Sequence, residues 1–270
     1  MGAMVRQPPL TGATLMGIIW LASFPKSGNT WLRFLLHAYL FGPVETSGDV
    51  NRRIPAIHRD PHLTPPPGER LFVKTHFVLS DKHPQLALTE RAVYIKRHPK
   101  DILLSGLNYH RMTGAFPDKA SDQVYAQTFI RQGGDPIWIQ QGFGTWDQHV
   151  QSWTTSTRFP IHTTTYERLK ADTTAELDAV LRFVNIEPQA DRLAAAVKAA
   201  DFNQLRALEV REKASGEKDK LFPGQVKASK APRFFMNKGK TGQTLASIGT
   251  DFDRLFDQRF ADAMHRHGYA

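Results

Sequence analysis

The run Gly17 to Ala22 is apolar throughout and opens directly into Ser23-Phe24-Pro25-Lys26-Ser27-Gly28-Asn29-Thr30-Trp31, after which Leu32 to Leu40 carries a helical apolar pattern. A continuous apolar run is what a strand covered on both faces requires. Strand, polar turn and helix in that order set the turn at a helix N-terminus, where unpaired N–H groups and the positive end of the helix dipole converge. With Lys26, the hydroxyls of Ser27 and Thr30, and the flexible Gly28, that point is a natural seat for a phosphate or sulfate group. It is not a Walker loop, which needs a glycine, four residues and then Gly-Lys-Ser/Thr. Here the order is Lys-Ser-Gly, with no upstream glycine. Ser and Asn are also ordinary helix caps, but a cap leaves the lysine unexplained.

Three further apolar segments read as strands: Leu71 to Lys74, Ala92 to Lys96 and Ile161 to Tyr166. Helical patterns lie between them. Ile102 to Tyr109 follows Pro99, and Trp146 to Trp153 places two tryptophans seven apart on one face. Thr173-Thr174-Ala175-Glu176 has the form of a capping box ahead of Leu177 to Val184. Strands alternating with helices predict an α/β fold, a single domain with a central parallel sheet flanked by helices and a phosphate-type loop after the first strand. Residues 1–15 lack periodicity and read as a disordered leader or expression scar, leaving 16–270 as the domain. Thr64-Pro65-Pro66-Pro67-Gly68 is a stiff surface connector.

The chain has no cysteine, so disulfides, thiolate metal sites and cysteine nucleophiles are excluded. No stretch approaches the roughly 20 apolar residues of a membrane span. A cytoplasmic setting without a membrane partner is the expectation. The net charge of +9 invites polyanionic ligands. Nine Lys or Arg against three acids fall between Arg211 and Lys240, and the glycines and prolines there predict a long irregular segment, either a solvated loop or a functional one.

Two more polar clusters stand at predicted strand ends, where α/β sheets gather ligands. Lys74-Thr75-His76 follows the second strand. Arg97-His98-Pro99-Lys100-Asp101, with Ser105 farther along the next helix, follows the third. Singly, His76 reads as a structural histidine and Arg97 as a surface pair. Together with Lys26 they describe one crevice. His58, Asp60 and His62 have metal-like spacing, but Pro61 disfavours a helix there and no metal is expected. A nucleotide-dependent kinase with an atypical phosphate loop and a basic nucleic-acid-binding protein are the alternative readings.

Pro25 to Trp31, Lys74-Thr75-His76 and the Arg97…Pro99-Lys100-Asp101…Ser105 spacing together resemble the sulfotransferases that use 3′-phosphoadenosine-5′-phosphosulfate (PAPS) as donor. The likeness runs from about Met16 to the C-terminus, and its most similar stretches resemble bacterial members acting on small molecules or natural products. It implies a P-loop-like phosphosulfate-binding loop in which Lys26 contacts the 5′-phosphosulfate. Ser27, Gly28, Asn29 and Thr30 supply further donors, and Trp31 flanks the adenine. Arg97 and Ser105 take the 3′-phosphate, Tyr166 and Phe202 lie near the nucleoside, and Lys238 and Gly239 close over the 3′-phosphate. His76 is the implied general base, with Lys74 beside it neutralising sulfuryl oxygens.

The implied product is 3′-phosphoadenosine-5′-phosphate (PAP). The implied partner is a small-molecule acceptor, aromatic or glycosylated, and no nucleic acid. The family's Arg-Lys-Gly triplet appears here as Asn237-Lys238-Gly239, with Lys240 or Arg233 as substitutes for the missing arginine. Candidate acceptor walls are Phe77, the loop Tyr109 to Pro117, Trp138, Phe143, Trp146 and Leu221 to Val226.

Overall fold

The computed structural model describes residues 17–116, 120–216, 219–223 and 233–269. Residues 1–15, and the Gly224 to Val226 part of the expected acceptor wall, lie outside them.

Four parallel strands, β1 (Gly17–Ser23), β2 (Arg70–Thr75), β3 (Thr89–Lys96) and β4 (Ile161–Thr165), form one sheet in the order β2-β1-β3-β4. Every residue of β1 is buried, as its unbroken apolar run requires of a central strand. Its side chains alternate between two cores. Ile18, Trp20 and Ala22 join one, with Val73, Ala92 and Tyr94, while Ile19 and Leu21 join the other, with Phe72, Val93 and Ile95.

Helices cover both faces. The Ile19 face packs on α1 (Asn29–Phe41), α8 (Thr173–Phe183), α9 (Ala190–Ala199) and α10 (Phe202–Ser215), through residues such as Leu35, Leu177, Leu193 and Leu205. The Trp20 face packs on α3 (Pro99–Thr113), α4 (Asp122–Gln132), α6 (Trp146–Thr154) and α11 (Phe252–Arg266), through Leu103, Phe129, Trp153 and Phe260. Short helices α2 (Ser47–Arg53), α5 (Pro136–Trp138) and α7 (Tyr166–Ala171) lie in the connections. Among the described residues no helix is long and apolar enough to cross a membrane.

The expected α/β domain with a parallel sheet is what forms, and four details differ from expectation. Tyr166 is the first residue of α7 rather than the end of a strand. The cap of α8 is Asp172, whose side chain accepts from the Ala175 N–H, so the Thr173 capping box does not form. Glu176 instead accepts from Arg168 and the Thr164 hydroxyl. Tyr109 belongs to α3 rather than to a loop, and Pro117 lies outside the described residues. The late basic segment begins as helix, because α10 continues through Ser215. There Lys213, 1% exposed, pairs at 2.6 Å with the fully buried Glu209, so one of the counted loop charges is a core residue.

The strand order fixes where a ligand goes. From β1 the chain crosses towards β2, and from β3 towards β4, so the connections leave in opposite directions and open a crevice between the C-terminal ends of β1 and β3. The Lys26 loop leaves β1 and Arg97 leaves β3. Their meeting is direct, because Arg97 Nη1 donates to the Lys26 carbonyl at 2.9 Å.

Candidate active site

The loop after β1 is held from below and left open above. Asn29 turns its amide back to the strand, donating to the Leu21 carbonyl at 2.7 Å and the Ser23 hydroxyl at 3.3 Å. Helix α1 consequently starts with no side-chain cap, in contrast to α3, α4, α6 and α10, each capped by a side chain. Its first N–H groups stay available to an anion. The turn uses costly backbone, with Lys26 at φ 68° and Gly28 at φ 101°. Left-handed geometry at a lysine is uncommon and tends to mark a functional turn. At Gly28 a Cβ would fall 2.7 Å from Tyr166 Cδ2, so only glycine lets the loop approach that ring.

Lys26 points into a cleft of about 1210 Å³ that is also lined by Gly28, Asn29, Thr30 and Trp31 from the loop, Lys74 and His76 from β2, Arg97 and Ser105 from β3 and α3, and Tyr166, Phe202, Lys238 and Gly239. Of the residues expected to catalyse or to bind the donor, Ser27 alone is absent from this lining, being fully buried beneath it. The Lys26 ammonium lies 3.5 Å from the Phe235 ring centre and 4.9 Å from that of Tyr109. Burial, with Arg97 and Lys74 nearby, holds its pKa well below the ordinary lysine value. Among the described residues, the donors Ser27 Oγ and Arg97 Nε are buried with no hydrogen-bond partner, as is the acceptor Asn29 Oδ1. Unpaired buried donors beside crowded cations are the signature of a seat that an oxyanion completes.

His76 is oriented by the backbone. Its Nδ1 lies 2.6 Å from the Ser23 carbonyl oxygen, which only accepts, so Nδ1 carries the proton and Nε2 of the neutral ring is the free base. Burial first, then Lys74 and His58, keep its pKa well below 6.5. The His58 ring stacks on it at 5.3 Å and accepts its backbone N–H through Nε2. From α6, His149 Nε2 donates to the His76 carbonyl at 3.1 Å, and its Nδ1 accepts from the Tyr94 hydroxyl at 2.9 Å.

The late segment closes the other side. Arg97 Nη2 donates to the Lys240 carbonyl at 2.8 Å while its guanidinium lies 4.0 Å from the Tyr166 ring centre. Trp31 stands 5.8 Å from Tyr166, and the turn at Gly239 (φ 57°) lies so close to Phe202 that a Cβ would meet the ring at 3.0 Å. These aromatics border a slot between the Lys26 loop and Lys238. Two carboxylates anchor the segment. Glu209 accepts from Phe235 N and Met236 N at 2.6 and 2.8 Å, and Asp101 accepts from Gly242 N and Gln243 N. Arg233, Lys240 and Arg206 line the same cleft, as does Asn237.

With the expected acceptor walls the structure agrees in part. Tyr109, Trp138, Phe143 and Leu221 line the cleft. Trp146 does not, being fully buried with its indole N–H on the Arg97 carbonyl. Phe77 packs behind Phe143 and His58.

The family model described as "Sulfotransferase domain" matches residues 17–268. The chain belongs to the sulfotransferase domain family. Among its curated relatives, Sulfotransferase 1A1 of Canis lupus familiaris is 27% identical over 92% of this chain and 83% of its own length. Sulfotransferase 1C2 of Homo sapiens is 25% identical over 90% and 82%. These relatives are mammalian, so the match supports the family and not its bacterial branch in particular. The sulfotransferase fold is also seen in mouse sulfotransferase SULT7A1 complexed with PAP, at TM-score 0.64 and 21% identity over 93% of this chain and 85% of that one. Retinol dehydratase in a complex with retinol and PAP gives TM-score 0.68 at 15% identity over 92% and 81%. Membership of the sulfotransferase family goes against the kinase and nucleic-acid readings of the loop and of the basic charge.

Sequence reasoning assigned no role in the site to His149 or Glu209, placed Ser23 only as the first residue of the loop, and raised His58 only for its metal-like spacing with Asp60 and His62. His149 left one trace, since it shares a helix face with Trp146 and Trp153 at positions i+3 and i−4.

Proposed function

We propose that this sulfotransferase moves the sulfuryl group of PAPS to a hydroxyl of a small-molecule acceptor, with residues 16–270 as the catalytic domain and the cytoplasm as its setting. The observation that carries the reading is the placing of His76, its Nδ1 fixed on the Ser23 carbonyl, in the same cleft as Lys26 and Lys74. Bound in this cleft, PAPS supplies an activated sulfur with the 5′-phosphate of PAP as leaving group.

The unpaired Ser27 Oγ and Arg97 Nε and the uncapped start of α1 fit a ligand with phosphate at both ends. Ser27, Gly28, Asn29 and Thr30 hold the phosphosulfate end with Lys26. Arg97, Ser105, Lys238 and Gly239 hold the 3′-phosphate, and Trp31, Tyr166 and Phe202 border the nucleoside. His76 Nε2 accepts the proton of the acceptor hydroxyl as that oxygen bonds to sulfur. Lys26 and the α1 N-terminus stabilise the charge left on the 5′-phosphate oxygen, and Lys74 neutralises the sulfuryl oxygens. The depressed pKa of His76 keeps Nε2 ready for this at neutral pH.

The test is PAP release from PAPS with a panel of phenols, alcohols and amino sugars. His76→Ala is expected to bind PAP normally and lose turnover by roughly 10²–10⁴-fold. Near-normal turnover of His76→Ala would rule out the base assignment, and no sulfation of any acceptor would count against the activity.

A further inference from the structure

Beyond Lys74 the cleft continues into a second group of cations that the donor-binding residues do not use. The segment before it runs along the free edge of β2. Lys74 N donates to the Pro55 carbonyl at 2.8 Å, Ile57 N donates to the Lys74 carbonyl at 3.0 Å, and Ala56 pairs with Lys74 as a parallel bridge. This pairing brings His58 and Arg59 to the cleft beside Lys74. Arg33 reaches the same region from α1. Its side chain is buried and donates to the Ile54 carbonyl and to Asn51 Oδ1, but its Nε is left without a partner.

Among the described residues no carboxylate pairs with Lys74, Arg33 or Arg59. Among the described residues neither the Lys74 ammonium nor the Arg59 guanidinium has a hydrogen bond or ion pair. Asp60, the adjacent acid, accepts from the His62 backbone N–H, and Asp49 accepts from Thr46 and pairs with Arg52. The crowding leaves a mark on the charges themselves. Burial, then Arg33 and Arg59, bring the Lys74 pKa down to about 7, and burial with Arg59 brings that of Arg33 to about 9. Lys74 is assigned above to the sulfuryl group of the donor, but Arg33 and Arg59, two coupled cations without an anion, are unfavourable unless a further ligand supplies one. The donor's phosphates have their own seat around Lys26 and Arg97. At about 1210 Å³ the cleft also exceeds the roughly 300–1,000 Å³ of a single small-molecule site.

We propose that Arg59, with Arg33 behind it, forms an oxyanion subsite beyond Lys74 that selects acceptors carrying a carboxylate or sulfonate as well as the hydroxyl to be sulfated. The proposal rests on the sulfotransferase reading of the cleft. A guanidinium lining the cleft, coupled to a second one whose Nε–H is unpaired, suits a planar carboxylate or a tetrahedral oxyanion. A neutral phenol leaves the cluster unbalanced, and a cationic amine meets repulsion.

The test compares 2-naphthol with 6-hydroxy-2-naphthoate, which differ only in the carboxylate, and 6-hydroxynaphthalene-2-sulfonate in the same assay ranks the two oxyanions. Both kcat/KM with PAPS and Kd by calorimetry on the PAP-saturated protein are measured, the bound PAP keeping the test compounds off the donor seat. The naphthoate is expected to be preferred by about tenfold in both readouts. Arg59→Ala is expected to remove that preference while leaving 2-naphthol within about twofold, and Arg59→Lys, which keeps the charge but not the planar fork, to retain only part of it. Equal use of the two acceptors, or an Arg59→Ala effect of the same size on both, overturns the subsite and leaves sulfuryl transfer standing. If neither compound is sulfated, the binding arm still decides. Arg59-dependent preference for the naphthoate supports the subsite, and its absence overturns it.

Discussion

Glu209→Gln tests whether a buried ion pair in α10 organises the donor side of the cleft. The carboxylate is fully buried, pairs with Lys213 at 2.6 Å and accepts from the backbone N–H groups of Phe235 and Met236. The substitution removes one negative charge opposite an almost completely buried ammonium and turns one acceptor oxygen into an NH₂ donor facing other donors. Breaking a buried pair from one side costs about 3–5 kcal/mol. For a protein of this size that corresponds to a fall in Tm on the order of 10 °C. The fold has a cheaper escape in releasing the 233–240 segment, which would carry Phe235 away from Lys26 and the Lys240 carbonyl away from Arg97. PAP affinity is therefore expected to fall with stability, by at least about tenfold. Urea denaturation and PAP calorimetry measure the two effects. Glu209→Gln with Lys213→Met, which removes the orphaned charge, is expected to recover stability better than affinity. A single variant with stability within about 1 kcal/mol of wild type and unchanged PAP affinity would refute the reasoning.

Gly28→Ala forces a side chain into left-handed backbone, costing about 1–2 kcal/mol, and drives its Cβ against Tyr166; PAP calorimetry should show weakened binding, and unchanged affinity would contradict the close-approach argument. Buried His149 and His83 have pKa values of about 3 and about 4, chiefly through burial, against about 6.5 in the unfolded chain. Below pH 6.5 the unfolded state binds more protons, so stability falls with pH, by about 2 kcal/mol per histidine at pH 5; an equal urea midpoint at pH 7 and pH 5 would exclude this. Because the His76 pKa is depressed and its base form is the neutral one, the acid limb of kcat/KM for the free enzyme should lie below pH 6.5, and a limb above 6.5 in initial-rate data would reject the assignment.

The loop proposed to seat the phosphosulfate was conspicuous because its parts are contiguous. Lys26, Ser27, Gly28 and Thr30 advertise their chemistry in one stretch, and the apolar run before them reveals the strand that carries it. Strand and helix cores were legible through periodicity, whereas helix starts depended on single side chains such as Asp172. The groups that orient His76 were hidden for a physical reason. Ser23 acts through its carbonyl, and His58 and His149 act on the backbone of His76, so no residue type in the sequence reports them. Lys213 was miscounted as loop charge although Glu209, four residues earlier, is the i, i+4 partner that would have placed both on a helix. Trp146 shows the converse error, since a large aromatic near a strand end proved to be core.

The crevice between β1 and β3 also separates two kinds of inheritance. Several of the groups proposed to hold the donor, the Lys26 loop and Arg97 among them, issue from the two central strands, where a change disturbs both cores. Much of the acceptor-facing wall, including Arg59, Trp138, Phe143 and Leu221, comes from connections outside the sheet. Such connections tolerate replacement far better than core strands do. A lineage built on this frame can therefore exchange what it sulfates while keeping what it sulfates with, and a library confined to residues 55–60, 138–143 and 219–223 is the place to look for altered acceptors.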